Sequence, residues 1–249
     1  MKSLSDLHYS EQQKNFRLWS EKPALQEIYF YFYSLIKAEI DYSLPGKIVE
    51  LGSGSATIKI VIEDCICTDQ FPNPWIDQVE NVYSLSFEDK SVSNIILFDV
   101  FHHLEYPGNA LDEINRVLCK NGRLIIFEPS MSFAGLLVYY FFHQEPVGIF
   151  KKITPFGDVA QLKNVGYYAA QANAWRIFKK NSRFASLLVK WKDIQSKGIV
   201  SFAYLASGGY SKPQVFPTSW YSAIIKFDLI LNKISVILAA RTLITIRKI

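Results

Sequence analysis

Cysteine is scarce in this 249-residue chain, with three in all, beside four histidines and two methionines. So few thiols point to a reducing compartment rather than a disulfide framework. Cys65 and Cys67 alternate along a predicted strand and are expected on opposite faces, which suits neither a disulfide nor a Cys-x-x-Cys metal knuckle. A dominant charge is also lacking. Lys and Arg number 27 against 23 Asp and Glu, the formal charge is +4, and no basic run appears, so nothing in the charge calls for nucleic acid. Long apolar runs are missing too. The longest, Phe133 to Phe142, falls well short of the ~18–20 residues of a spanning helix, and the stretch from Met1 to His8 has no apolar signal core. The expectation is a soluble, cytoplasmic protein with peripheral membrane contact left open and no oligomeric state implied.

What is abundant is apolar: 49% of residues, against 20% charged, which calls for a large core rather than disorder. The length suits one α/β domain with an added cap. The most informative stretch is Lys47-Ile48-Val49-Glu50-Leu51-Gly52-Ser53-Gly54-Ser55-Ala56. A short apolar run ends in an acid and then two glycines one residue apart. That is how a buried parallel strand stops beneath a nucleotide-like ligand, because glycine lets the backbone approach without a β-carbon. Asp69, about 17 positions after Gly52, stands where Rossmann-like folds place an acid for ribose hydroxyls at the end of the second strand.

Residues 7–42 read as helical with a break near Lys22-Pro23, the aromatic tract Ile28 to Tyr33 apolar on all sides. Residues 47–130 alternate strand and helix, which implies a parallel sheet. Between Gly54 and Cys65 there is room for two helical turns at most, and Phe71-Pro72-Asn73-Pro74 reads as a loop. Further on, helices are expected around 169–180, 183–195 and 218–238, and strands at 199–205 and 241–246.

Two later stretches carry a resemblance. Asp99-Val100-Phe101-His102-His103-Leu104 follows a fourth apolar strand, and Arg116-Val117-Leu118 closes a helix before Asn121-Gly122 and the strand ending at Glu128-Pro129. With the glycine loop and Asp69, these motifs resemble the class I S-adenosylmethionine-dependent methyltransferases of the type 11 group, closely over residues 45–130 and more loosely beyond. The resemblance implies an α/β fold: a Rossmann-like, seven-stranded, mostly parallel sheet with helices on both faces and a helical cap inserted after the fifth strand. It divides the chain into an N-terminal helical lid (1–44), a cofactor-binding core (45–130), a substrate-binding cap (131–198) and C-terminal strands and helix that complete the sheet (199–249).

The implied cofactor is S-adenosylmethionine. Gly52, Ser53 and Gly54 would floor its methionine part with Glu50 orienting the loop, and Asp69 with Gln70 would take the ribose. Asn81, where the family usually has Asp, would meet the adenine together with Val82, and Asp99 closes the pocket from the fourth strand. Ala56 replaces a frequent third glycine and is expected to be tolerated if its dihedrals are helical. An NAD(P) enzyme is the competing reading, disfavoured because its fingerprint wants a small residue at the β-branched Thr57. A non-catalytic cofactor-binding relative is another.

His102 and His103, at the carboxyl edge of the sheet, are the catalytic candidates, either able to polarise an acceptor hydroxyl. Glu128, His143, Glu145, Asn173 and Trp175 are the substrate-side candidates, the last four from stretches resembling a bacterial subgroup. No metal is expected, since no ligand spacing such as His-Glu-x-x-His occurs. The expected acceptor is small or carrier-linked, oxygen is the favoured atom, and the subgroup resemblance points to bacterial glycan or envelope biosynthesis. The apolar run 133–142 is expected as a core helix of the cap.

Overall fold

The fold is described from a computed structural model covering residues 4–142, 145–163 and 167–249. Helices α1 (Leu4–Glu21) and α2 (Pro23–Glu39) meet at Lys22, with Pro23 at the first helical position, where a missing N–H removes no helical bond. Along α2, Leu25, Ile28, Phe32 and Ile36 form the buried stripe, while Phe30 faces solvent. The core follows as β1 (Lys47–Leu51), a 3-10 turn (Thr57–Ile60), β2 (Ile66–Asp69), β3 (Gln78–Val79), β4 (Val92–Phe98), a second 3-10 turn (Phe101–His103), α3 (Pro107–Val117) and β5 (Leu118–Pro129). Beyond it come α4 (Phe133–Phe142), α5 (Val159–Lys163), α6 (Asn173–Phe178), β6 (Trp191–Ile199), α7 (Phe202–Ser207), α8 (Tyr221–Leu231), α9 (Ser235–Leu238) and β7 (Arg241–Lys248).

The strands form one seven-stranded sheet in the order β3-β2-β1-β4-β5-β7-β6. The first five are parallel, and β7 runs antiparallel to both neighbours. Side chains alternate between two core layers. Val49, Ile95, Leu97 and Ile126 pack with α3 and α6, and Cys67, Ile96, Ile125 and Phe127 pack with α2 on the other face. The chain leaves β1 toward β2 on one side and continues from β4 to β5 on the other. The carboxyl ends of β1 and β4 therefore flank a topological switch point, where open α/β sheets bind ligands.

Four local expectations are corrected. Residues 191–195, the end of the helix expected at 183–195, belong to strand β6, and the strand read at 199–205 is replaced by α7. β6 is an edge strand whose middle residues are exposed on both faces, so it carries no period-two signal, and pairing with β7 decides its state. Helix α7 starts where it does because the buried Asp228 carboxylate accepts the N–H groups of Phe202 and Ala203, both at 3.0 Å. The helix read at 218–238 breaks at Asn232, whose side chain turns back to accept the Val200 N–H. Cys65 and Cys67, two residues apart, lie in one core layer beneath α2, since a strand repeats every second residue. Among the described residues, no helix is long and apolar enough to cross a membrane.

Candidate functional site

Two groups of residues gather at the carboxyl edge. The first is built on the β1 loop. Gly52 (φ 75°) and Gly54 (φ 53°) both occupy left-handed backbone, and a Cβ on Gly52 would lie 2.4 Å from Val100 Cγ2. The β1 and β4 turns therefore press together so closely that only glycine fits. The Ser53 N–H donates to the Thr68 carbonyl (2.8 Å) and the Thr68 N–H donates to Ser53 Oγ (3.1 Å), lacing the loop to β2. The Gly54 N–H donates to Asp69 Oδ2 at 2.9 Å, which fixes that carboxylate beside the loop. Glu50 is buried beneath it. Burial pushes its carboxyl up to about 7, against the opposing contacts of Ser53 and Cys67.

Helix α1 lies across this loop. His8 Nε2 stands 3.2 Å from Asp69 Oδ1, and the His8 ring packs on Phe71. Gln12 Oε1 lies 2.5 Å from where a Gly54 Cβ would sit. The facing Asp69 carboxylate outweighs burial and raises the His8 pKa. Asn81 Oδ1 accepts the Tyr83 N–H at 2.9 Å, so its side chain shapes its own turn, with Val82 half-buried behind it, while Gln70 is exposed at the rim. Ala56 departs from its expected helical dihedrals and sits at φ 52°, ψ 31°, a left-handed position disfavoured for alanine. The loop still suits S-adenosylmethionine, which has no pyrophosphate. Only a single 3-10 turn follows it, so no long helix offers the amino end that a dinucleotide pyrophosphate needs.

The second group joins the ends of β4 and β5. Glu128, fully buried, accepts the Phe101 N–H through Oε1 and contacts His102 Nδ1 through Oε2, both at 2.6 Å. Burial works against a charged His102 ring, but Glu128 and then Glu145 prevail and lift its pKa to about 10. His103 Nδ1 lies 2.8 Å from the Tyr168 carbonyl. A carbonyl only accepts, so Nδ1 carries the proton. Burial and the neighbouring His102 charge lower the His103 pKa. The Nε2 atoms of His102 and His103 face one carboxylate, Glu145, at 3.3 and 3.6 Å. Glu145 also accepts from the Tyr167 hydroxyl (2.6 Å) and the Gln171 amide (3.2 Å). Backbone bonds bring it there: the Gln171 and Ala172 N–H groups donate to the Pro146 and Val147 carbonyls, and the Ala170 N–H donates to the His102 carbonyl.

The structure thus brings Glu50, Gly52, Ser53, Gly54 and Asp69 into one cluster and His102, His103, Glu128 and Glu145 into another. Asn173 is buried beside the second, donating to the Tyr168 hydroxyl, whereas Trp175 stands apart at the surface under the Lys179 ammonium. The Asp99 carboxylate is committed to Arg241 at 2.5 Å, and that buried guanidinium lies over Phe98, Phe127 and Tyr204. His143 lies outside the described residues. Sequence reasoning missed His8, Gln12, Tyr167 and Arg241. A charged residue opening the last strand ahead of its buried Leu243, Ile244 and Ile246 was a usable signal for Arg241; nothing local marked the others.

Residues 62–126 match a family model described as a methyltransferase domain. No curated protein sequence matches the chain. Among solved structures, it resembles an S-adenosylmethionine-dependent methyltransferase of Thermotoga maritima, described as a possible histamine N-methyltransferase, at 12% identity and TM-score 0.55, over 94% of this chain and 95% of that one. A second such methyltransferase, from Archaeoglobus fulgidus, aligns at 13% identity and TM-score 0.51 over 90% and 94% of the two chains. A third likeness is to a Haloferax volcanii complex of the Trm112 activator with a putative methyltransferase, at 14% identity and TM-score 0.50 over 100% and 98%. At these identities the solved structures show the fold alone: the chain has the fold of S-adenosylmethionine-dependent methyltransferases, and residues 62–126 within it match a methyltransferase domain.

Proposed function

We propose that this enzyme methylates an oxygen of a small or carrier-linked acceptor, of the kind used in bacterial glycan or envelope assembly. When bound, S-adenosylmethionine supplies a methyl group on positive sulfur, and its transfer to a hydroxyl oxygen yields S-adenosylhomocysteine and one proton to be removed. The observation that carries this reading is the pairing of the two clusters at one switch point: a cofactor loop floored by Gly52 and Gly54, and a histidine–carboxylate cluster at the adjoining strand ends.

Asp69, fixed by Gly54, takes ribose hydroxyls, and the backbone of Gly52 to Gly54 admits the flat approach of the methionine part. Glu50 anchors the loop from below. On the acceptor side, His102 is held by Glu128 and His103 by the Tyr168 carbonyl, so both rings keep fixed orientations toward the acceptor and polarise its hydroxyl. The closing of Glu145 over the histidines restricts water. Exposed Phe133, Leu137 and Tyr140 on α4 lie beside exposed Val236 and Ile237 on α9, an apolar surface that suits an acceptor carried on an apolar chain.

The test is calorimetric titration of S-adenosylhomocysteine into the wild type and Asp69→Ala, followed by turnover of labelled S-adenosylmethionine against hydroxyl-bearing acceptors. Micromolar binding that the variant loses, with label appearing as an ether or ester methyl, supports the reading. A well-folded wild type that binds no S-adenosylhomocysteine, or label found on nitrogen or carbon, would overturn it.

A further inference from the structure

We propose that His102 Nε2, His103 Nε2 and the Glu145 carboxylate form a binding site for a divalent transition-metal ion, with a coordination position left for an acceptor oxygen. The spacing is the first argument. The two nitrogens lie 3.3 and 3.6 Å from the Glu145 oxygens, and the donor atoms of all three residues fall within 4.8 Å of one another. Tetrahedral zinc with bonds of about 2.0–2.1 Å has its ligand atoms roughly 3.3–3.4 Å apart, so each nitrogen already stands near ligand spacing from the carboxylate.

The second argument is how the donors are supported. Metal-binding histidines almost always give their other ring N–H to a carboxylate or carbonyl, which fixes the tautomer and turns the remaining lone pair toward the metal. Both rings here do so. His102 uses Nδ1 on the buried Glu128, leaving its Nε2 proton as the one a metal ion would displace, and His103 uses Nδ1 on the Tyr168 carbonyl. Glu145 is in turn oriented by the Tyr167 hydroxyl and the Gln171 amide. Each of the three candidate ligands therefore has its own outer support.

The third argument concerns His103. With Nδ1 donating to the Tyr168 carbonyl, Nε2 is the ring atom that faces the Glu145 carboxylate, at 3.6 Å. The two rings lie 4.1 Å apart between centroids, tilted by 41°. One divalent cation serves both nitrogens and the carboxylate at once. Two imidazoles and a carboxylate are donors of the type found in catalytic zinc and non-haem iron sites, which keep at least one position open. His103 and Glu145 are partly exposed, so that position can open outward. The ion binds without the cofactor. Only its use in polarising an acceptor hydroxyl rests on the methyl-transfer reading above.

The experiment uses full-length protein stripped with a chelator and titrated with Co²⁺ by visible absorption and with Zn²⁺ by calorimetry, no S-adenosyl compound being present. The expected result is one equivalent bound at micromolar affinity or tighter, with the intense d–d bands of a four- or five-coordinate site. His103→Ala and Glu145→Gln should each weaken binding at least tenfold. A parallel S-adenosylhomocysteine titration reports whether each variant keeps its fold. If a variant does not fold, ¹⁵N-histidine NMR of the wild type takes its place, and both Nε2 signals should shift with one equivalent of Zn²⁺. No saturable binding by the wild type, equal affinity in both folded variants, or Nε2 signals unmoved by metal would overturn the proposal. Failure of the methyl-transfer reading would show instead as no S-adenosylhomocysteine binding by a protein that still takes up metal.

Discussion

If Asp69 is the ribose contact, the cofactor must compete with His8 for it, and removing His8 should tighten binding. The His8 side chain is 26% exposed and its Nε2 is 3.2 Å from Asp69 Oδ1. A partly screened ion pair of this kind contributes about 0.2–1 kcal/mol, to which the ring contact with Phe71 adds about 0.5 kcal/mol. At roughly 1.4 kcal/mol per tenfold, His8→Ala should bind S-adenosylhomocysteine about 3- to 10-fold more tightly at pH 6. The advantage must shrink with pH. The His8 pKa is raised in the closed arrangement, so the pair is fully present below the unpaired value of about 6.5 and is lost as pH rises through the raised one. Wild-type affinity should therefore improve across that window relative to His8→Ala, and the two should draw together above it. Glu50 also titrates near this range, but it is common to both proteins, so their difference isolates His8. Calorimetry at pH 6 and pH 8.5 decides the matter. Weaker binding by His8→Ala at pH 6 would make His8 a cofactor contact, and parallel pH profiles would show that the pair does not compete; either refutes the argument.

Three further outcomes follow from buried charge and backbone strain. Glu50 has a folded pKa of about 7 against an ordinary value near 4.5, so its neutral form favours folding below pH 4.5 and that stability is lost as pH rises through 7. Urea unfolding should show the wild type losing about 2–4 kcal/mol more than Glu50→Gln between pH 4.5 and 8. Asp99→Asn should strand the buried Arg241 cation and destabilise the fold by about 3–5 kcal/mol, with Asp99→Asn/Arg241→Met recovering much of the loss. Ala56→Gly should relieve the left-handed alanine and raise stability by about 0.5–1 kcal/mol, seen as a melting temperature higher by roughly 1–4 °C.

The part of the fold that could be read from the sequence is the part whose causes are local. β1, β2, β4 and β5 are buried on both faces, so they read as short apolar runs, and each ends in glycine, acid or proline. Glu50, Asp69, His102 and Glu128 were legible because a strand end fixes which residues reach the carboxyl edge. The C-terminal third obeys distant causes. Helix α7 begins where Asp228, on another helix, accepts its first N–H groups, and β6 is a strand only because β7 pairs with it.

The histidine–glutamate cluster shows the same division within one site. Adjacent residues on a regular strand point to opposite faces, and adjacent residues on an α-helix diverge by about 100°, so neighbouring histidines make an unpromising ligand pair in either. The 3-10 turn at Phe101–His103 brings these two rings together instead, and Glu128 and Tyr168 from other segments fix their outward nitrogens. Glu145 reaches them from the far side of α4 through backbone pairing between residues 146–147 and 171–172. Ligand spacing along the chain detects sites carried on one regular element. A site assembled from a turn, a strand end and a paired loop leaves no such spacing, so the absence of a metal motif in this sequence was no argument against a metal.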